Sequence, residues 1–251
     1  MPKLKLATVA AMSLTNGVGK DGGLPWRLKG EMAYFRKVTS HVPEEAERTG
    51  ARNAVIMGRK TWASIPPKFR PLNGRLNVVI SRTSSPQDLG IEPDSKDVKV
   101  FSSVEQALSH LATPQANVIR VFVIGGAQLW TDLLHLESSV AVVDKLLVTR
   151  ILTPRYECDV YFPEFRTQEQ YSKELDQANK ILAGQEKSNE TKTPHEGPSS
   201  LLKQQAWTQA SVEALRQYLG SACPPALAES PDMLTNEGET WYEYQLWEKT
   251  G

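Results

Sequence analysis

Residues 58–61 and 81–83 each place cations and hydroxyls directly behind an apolar run, the arrangement an anionic cofactor needs. Gly58 ends one run and Arg59-Lys60-Thr61 opens a short helix, so free backbone N–H groups, the helix dipole and the Thr61 hydroxyl are suited to a pyrophosphate. Ser81-Arg82-Thr83 offers a guanidinium and two hydroxyls for a further phosphate, such as the one NADP carries on its ribose. A third junction, Ile124-Gly125-Gly126-Ala127-Gln128, has paired glycines that permit close backbone approach. Residues 17–26, GVGKDGGLPW, follow an apolar strand and end in a rigid Leu-Pro-Trp corner, which predicts a mobile cover over a site. Taken singly, each has an ordinary counterpart: a basic helix start, a turn after a strand, a tight packing turn.

The elements that must position these groups are visible as apolar runs. Residues 5–12, 54–57, 76–80, 98–101, 118–124 and 145–151 read as strands separated by helix or loop segments. That alternation predicts an α/β fold with a largely parallel central sheet flanked by helices. After Pro25, Leu28, Met32, Phe35 and Thr39 recur at helical spacing and predict one mostly apolar face, with Glu31 at its edge. Ser103 stands three residues before Gln106 as a helix cap, and a third helix is expected after Gly125-Gly126. Residues 168–200 are rich in Gln, Glu, Lys, Asn and Ser and read as a solvated helix followed by a flexible loop. A second polar passage, 221–239, gives way to the alternating aromatic run 240–247, which reads as a strand able to pair antiparallel with one near Trp207.

Apolar residues are 40% and charged residues 23% of 251, a composition that excludes a largely disordered or fibrous chain and fits one domain with an insertion. The formal net charge of zero gives no reason to expect nucleic-acid or membrane binding. The apolar part of the first dozen residues is too short for a signal peptide or membrane span, so a cytoplasmic protein is expected. Cys158 and Cys223 lack metal-site or redox spacing and are expected as free thiols, with no metal site.

In one order the chain carries VAAMSLTNGVGKDGGLPW, Glu31 with Tyr34-Phe35, VIMGRKTWASIP, RPLNGR, VISR, FVIGGAQLW and LLVTRI. Together these resemble the dihydrofolate reductase family over residues 4–164 and again in the final strand, WYEYQLWEK. A long segment before the last strand, here about 166–240, is similar to insertions in eukaryotic and especially fungal members. The resemblance implies a single domain over 1–251, with a mostly parallel sheet and an antiparallel C-terminal strand. It also implies NADPH-dependent reduction of 7,8-dihydrofolate to tetrahydrofolate, in support of one-carbon metabolism and thymidylate synthesis, and inhibition by antifolates such as methotrexate. A monomer is expected.

The same resemblance carries roles onto particular residues. Glu31 matches the active-site carboxylate that bonds the pterin and assists protonation of N5, Thr149 the hydroxyl joined to it, and Trp26 the residue that holds an ordered water. Arg75, with Arg36 as a second partner, matches the cation that receives the glutamate tail of folate. Val9, Leu24, Met32, Phe35, Ile65, Leu72, Ile124 and Trp130 match contacts to the pterin and aminobenzoyl rings. Ala11, Val18, Gly19, Lys20, Asp21, Gly22, Gly23, Leu24, Arg59, Lys60, Thr61, Ser81, Arg82, Thr83, Gly125, Gly126, Ala127 and Gln128 match the cofactor contacts, with a cis bond implied at Gly125-Gly126. Met32 stands where vertebrate members often have an aromatic, and Trp130 where many members have tyrosine or phenylalanine. Two other readings remain open at this stage: a reductase acting on another pterin or on a pyrimidine of flavin synthesis, and a folate-binding protein without turnover.

Overall fold

The computed structural model of the chain describes residues 3–92, 94–136, 138–184 and 207–250. Along the chain come β1 (Leu4–Ser13), β2 (Gly17–Gly19), α1 (Lys29–Ser40), α2 (Glu44–Arg48), β3 (Arg52–Gly58), α3 (Arg59–Ser64), β4 (Arg75–Ile80), β5 (Val98–Phe101) and α4 (Val104–Leu111). Then follow β6 (Val118–Gly125), α5 (Ala127–Leu134), β7 (Ala141–Thr153), β8 (Val160–Tyr161), α6 (Gln168–Gly184), β9 (Trp207–Gln209), α7 (Val212–Leu219), α8 (Pro225–Ala228), β10 (Leu234–Glu237) and β11 (Thr240–Lys249).

The central sheet has the order β10-β11-β7-β1-β6-β3-β4-β5, with β9 also paired to β11. From β7 to β5 every neighbouring pair is parallel, whereas β9, β10 and β7 all pair antiparallel with β11. The mixed, mostly parallel α/β sheet expected from the sequence is thus present. Its inner strands are covered on both faces, so Ala54-Val55-Ile56-Met57 and Val78-Val79 are continuous buried runs without polar alternation. One face packs α4 and α5 through Leu108, Leu111, Leu129 and Leu133; the other packs α1, α3 and α7 through Tyr34, Val38, Trp62, Leu215 and Leu219.

Several elements differ from the sequence expectations. On α1 the buried stripe runs through Glu31, Tyr34, Val38 and Thr39, while Met32 is 48% exposed and Phe35 half-buried. The ring of Tyr34 sets this rotation, because it lies 4.1 Å from that of Tyr244 on β11. The region read as a loop at 17–26 begins with a buried strand, since β2 pairs antiparallel with β8. The helix read as solvated is α6, and it is docked: Glu174 and Ala178 are buried. The part of the polar passage at 185–200 expected as a flexible loop lies outside the described residues.

Ser103 does cap α4, accepting from the Gln106 N–H at 3.3 Å, although Gln106 Oε1 turns to the Ser102 hydroxyl at 2.9 Å. Cys158 and Cys223 are free. Among the described residues no helix is long and apolar enough to cross a membrane, and no group of three His, Cys, Asp or Glu side chains could hold a metal.

Candidate active site

β1 and β6 are parallel neighbours, yet the chain leaves β1 toward α1 on one face and leaves β6 toward α5 on the other. Connections that part in this way open a crevice at the carboxyl ends of the strands, where open α/β sheets bind ligands. All the junctions singled out in the sequence lie on this edge: residues 17–26 after β1, Arg59 after β3, Ser81 after β4 and Gly125-Gly126 at the end of β6.

The Gly125-Gly126 peptide is cis, and Gly125 has φ +125°, a region that side chains disfavour. A Cβ on Gly125 would stand 3.2 Å from Thr61 Oγ1 and 3.4 Å from the Trp130 ring; one on Gly126 would stand 3.4 Å from Thr61 Oγ1. The glycines therefore let the ends of β6 and β3 close on each other. Gly58 and Gly126, the N-caps of α3 and α5, make no side-chain capping bond. Arg59, Lys60, Arg82, Thr83 and Gln128 are exposed, Thr61 and Ala127 are half-buried, and Ser81 is buried, its Oγ accepting from the Ser84 N–H at 3.0 Å.

Across the crevice stands Glu31, only 5% exposed. Burial pushes its carboxyl from 4.5 up to about 7; the hydroxyl of Thr149 opposes this and the charge of Glu237 adds to it. Thr149 Oγ1 donates to Glu31 Oε1 at 3.4 Å, and Thr149 lies on β7 in register with Ala11 of β1. Trp26 is buried, its Nε1 lacks an acceptor among the described residues, and its ring packs edge-on to Tyr156 at 5.5 Å. A carboxyl poised near neutral pH beside a hydroxyl can hold or release a proton.

The apolar wall between these two sides joins Ala11, Phe35, Ile65, Leu72 and Ile124, all partly buried against the core that contains Val9. Leu24 at 54% and Met32 at 48% are exposed there. Trp130 sits behind Gly125, buried, its ring tilted against that of Phe162 at 5.0 Å. Toward the outer end of α1, Arg75 is buried; Nε donates to Asn73 O at 3.0 Å and Nη1 to Thr39 Oγ1 at 2.8 Å, which fixes the plane of its guanidinium. Burial and the neighbouring Arg36 guanidinium pull Arg75 down to about 10, and among the described residues no carboxylate pairs with it. Two such groups suit a carboxylate.

The cover is more tethered than its glycines suggest. Lys20 and Gly23 exchange backbone bonds of 3.0 and 2.9 Å around Asp21 (φ 49°) and Gly22 (φ 76°), a two-residue turn needing positive φ at both positions. The Asp21 N–H donates to Asp159 at 2.9 Å. Val18 and Gly19 are buried in β2, and a Cβ at Gly17 would meet Cys158 Sγ at 2.4 Å.

Sequence reasoning missed the aromatic wall behind Glu31, formed by Tyr34, Tyr242 and Tyr244, and it missed Glu237. The Tyr-x-Tyr alternation in β11 was a usable signal for the first; nothing local marks the second.

The family model for dihydrofolate reductase matches residues 5–191. The dihydrofolate reductase of Cryptococcus neoformans var. neoformans is 42% identical over 177 residues, 64% of this chain and 74% of that protein. The enzyme of Pneumocystis carinii is 39% identical over 170 residues, covering 65% and 77%, and that of Saccharomyces cerevisiae 40% over 144, covering 57% and 63%. With the match spanning most of its length, the chain belongs to the dihydrofolate reductase family.

Proposed function

We propose that the chain reduces 7,8-dihydrofolate to 5,6,7,8-tetrahydrofolate with NADPH as its hydride donor, and that residues 1–251 form one domain in which about 166–240 is a family-variable insertion. The observation that carries this reading is the buried Glu31 carboxyl, bonded by Thr149 and facing a glycine-built turn across the carboxyl edge of the sheet.

The residues present fit a nicotinamide dinucleotide. Gly125 and Gly126 leave a cradle that a Cβ would fill, and Arg59, Lys60 and Arg82 supply cations for its phosphates. Thr61, Ser81, Thr83, Ala127 and Gln128 belong to the same turns, and Ala11 with the segment from Val18 to Leu24 would hold the nicotinamide end. When bound, the cofactor supplies the hydride that adds to pterin C6. Glu31 holds the pterin by its amino group and ring nitrogen and keeps a proton available near neutral pH for N5. Thr149 fixes the rotamer of that carboxyl. Trp26 Nε1, a buried donor without an acceptor among the described residues, positions a water on the proton's route. Val9, Leu24, Met32, Phe35, Ile65, Leu72 and Ile124 exclude bulk water from the rings, and Arg75, with Arg36, receives the carboxylate of the glutamate tail.

Purified protein should lose NADPH absorbance only when dihydrofolate is added, far more slowly with NADH, and methotrexate should suppress the loss. A folded preparation that consumes no NADPH overturns the assignment, and equal rates with the two nicotinamides reject the 2′-phosphate role given to Arg59 and Arg82.

A further inference from the structure

Helix α1 has no local cap. Its N-cap residue is Leu28, which has no side-chain acceptor, so the first N–H groups of the helix need a partner from elsewhere. They find it some two hundred residues downstream. The Lys29 N–H donates to Glu237 Oε1 at 2.6 Å and the Gly30 N–H to Glu237 Oε2 at 2.7 Å. Glu237 is the last residue of β10, whose hairpin with β11 turns at Gly238, φ +61°. Gly30 makes room for the clamp, since a Cβ there would meet Tyr242 Oη at 3.0 Å and Glu237 Oε2 at 3.2 Å.

The next residue is Glu31. Third in the helix, it sits where exposed N–H groups and the positive end of the dipole would favour an ionised carboxylate. Glu237 occupies those N–H groups and adds a negative charge beside them. The other groups facing Glu31 are the Thr149 hydroxyl from β7, which favours ionisation, and the phenols of Tyr34 from α1 and of Tyr242 and Tyr244 from β11. Burial does most to raise the Glu31 carboxyl, and Glu237 acts in the same direction.

We propose that Glu237 is a positioning residue for the proton-handling step: its carboxylate clamps the first turn of α1 and takes up the helix N–H groups that precede Glu31. The proposal rests on the role given to Glu31 above. It assigns a task in the reaction to the end of the insertion.

Glu237→Gln preserves side-chain length and removes the charge. The Glu31 carboxyl titration, followed by carbon-13 NMR in the whole protein, should move down by roughly half a pH unit to one unit, and the pH limb of kcat/KM for dihydrofolate should move with it. Glu237→Asp, which retains the charge at shorter reach, should give a smaller shift in the same direction. Loss of thermal stability with an unmoved Glu31 titration in both variants overturns the proposal and leaves Glu237 a structural staple. Glu31→Gln separates the two readings. If it abolishes the kcat/KM limb while Glu237→Gln leaves that limb in place, Glu237 alone is rejected; if the limb persists in Glu31→Gln, the role of Glu31 falls and this inference with it.

Discussion

Glu31 and Glu243 are two carboxyls that burial pushes from 4.5 to about 7, on opposite sides of one antiparallel strand pair. Glu31 lies at the carboxyl edge of the parallel strands, bonded by Thr149. Glu243 lies on β11 under α6, where Gln209 Nε2 donates to it at 3.3 Å and Gln177 also bonds it. The desolvation is the same in kind. What separates them is what else reaches the group: an open crevice lined by apolar side chains and cations for Glu31, a lattice of protein amides for Glu243. A perturbed carboxyl marks a site only when the fold brings it to a place a ligand can occupy.

Glu31→Gln tests the first half of that contrast and should have the largest effect. Turnover should fall about 10²- to 10⁴-fold, the range for removing a positioned proton donor, while the affinity for NADPH changes little. Steady-state kinetics and a direct cofactor titration check both. Near-normal turnover would erase the distinction between the two glutamates.

The second region has its own use for buried charge. Glu174 of α6 accepts from Arg150 Nε at 3.2 Å and from Gln245 Nε2 at 3.0 Å, and it pairs with Arg166, which Glu164 also holds. Arg150 in turn donates to Ser13 O at 2.6 Å and to Asn16 Oδ1 at 2.8 Å, just before β2. This lattice ties α6 to the residues just before β2. Glu174→Ala leaves the buried Arg150 guanidinium without its carboxylate and takes one of two from Arg166, and should cost about 3–5 kcal/mol in denaturant unfolding, with a much smaller change in the pH dependence of turnover. A stability loss below about 1 kcal/mol, the ordinary range for an exposed pair, would make the network ornamental.

The two regions were also unequally legible in sequence. Gly58-Arg59, Ser81-Arg82 and Gly125-Gly126 could be placed at strand ends because a strand-to-helix turn is a local device, written in adjacent residues. The rotation of α1 was not legible. Leu28, Met32, Phe35 and Thr39 make an apolar pattern, but the packing of Tyr34 against Tyr244 decides which side is buried, and that partner lies in the last strand. The hydrophilic composition of 168–184 concealed α6 as a packed helix, because much of its buried contact is an ion network with Arg150 and Arg166, and its apolar contact is only the short set Leu175, Ala178 and Ile181 against Leu14 and Leu152. Glu237 is the limiting case, a helix cap whose helix is two hundred residues away.

The smallest expected effect comes from Glu243→Gln, and it tests the comparison most closely. A carboxyl held higher in the folded chain than in the unfolded one stabilises the fold fully below its unfolded value. That contribution is lost as pH rises through the folded value. For Glu243 the window runs from 4.5 to about 7, and the loss across it is on the order of 3 kcal/mol as an upper bound. Glutamine does not titrate, so the variant should gain stability relative to the parent as pH is raised from 4 to 8, measured by denaturant unfolding at each pH. Glu31→Gln should change the slope of stability with pH in the same sense, because its carboxyl spans the same interval. Only Glu31→Gln should also remove the pH limb of kcat/KM. If Glu243→Gln moved that limb, the two carboxyls would be coupled through β11 and β7, and the contrast between them would fail.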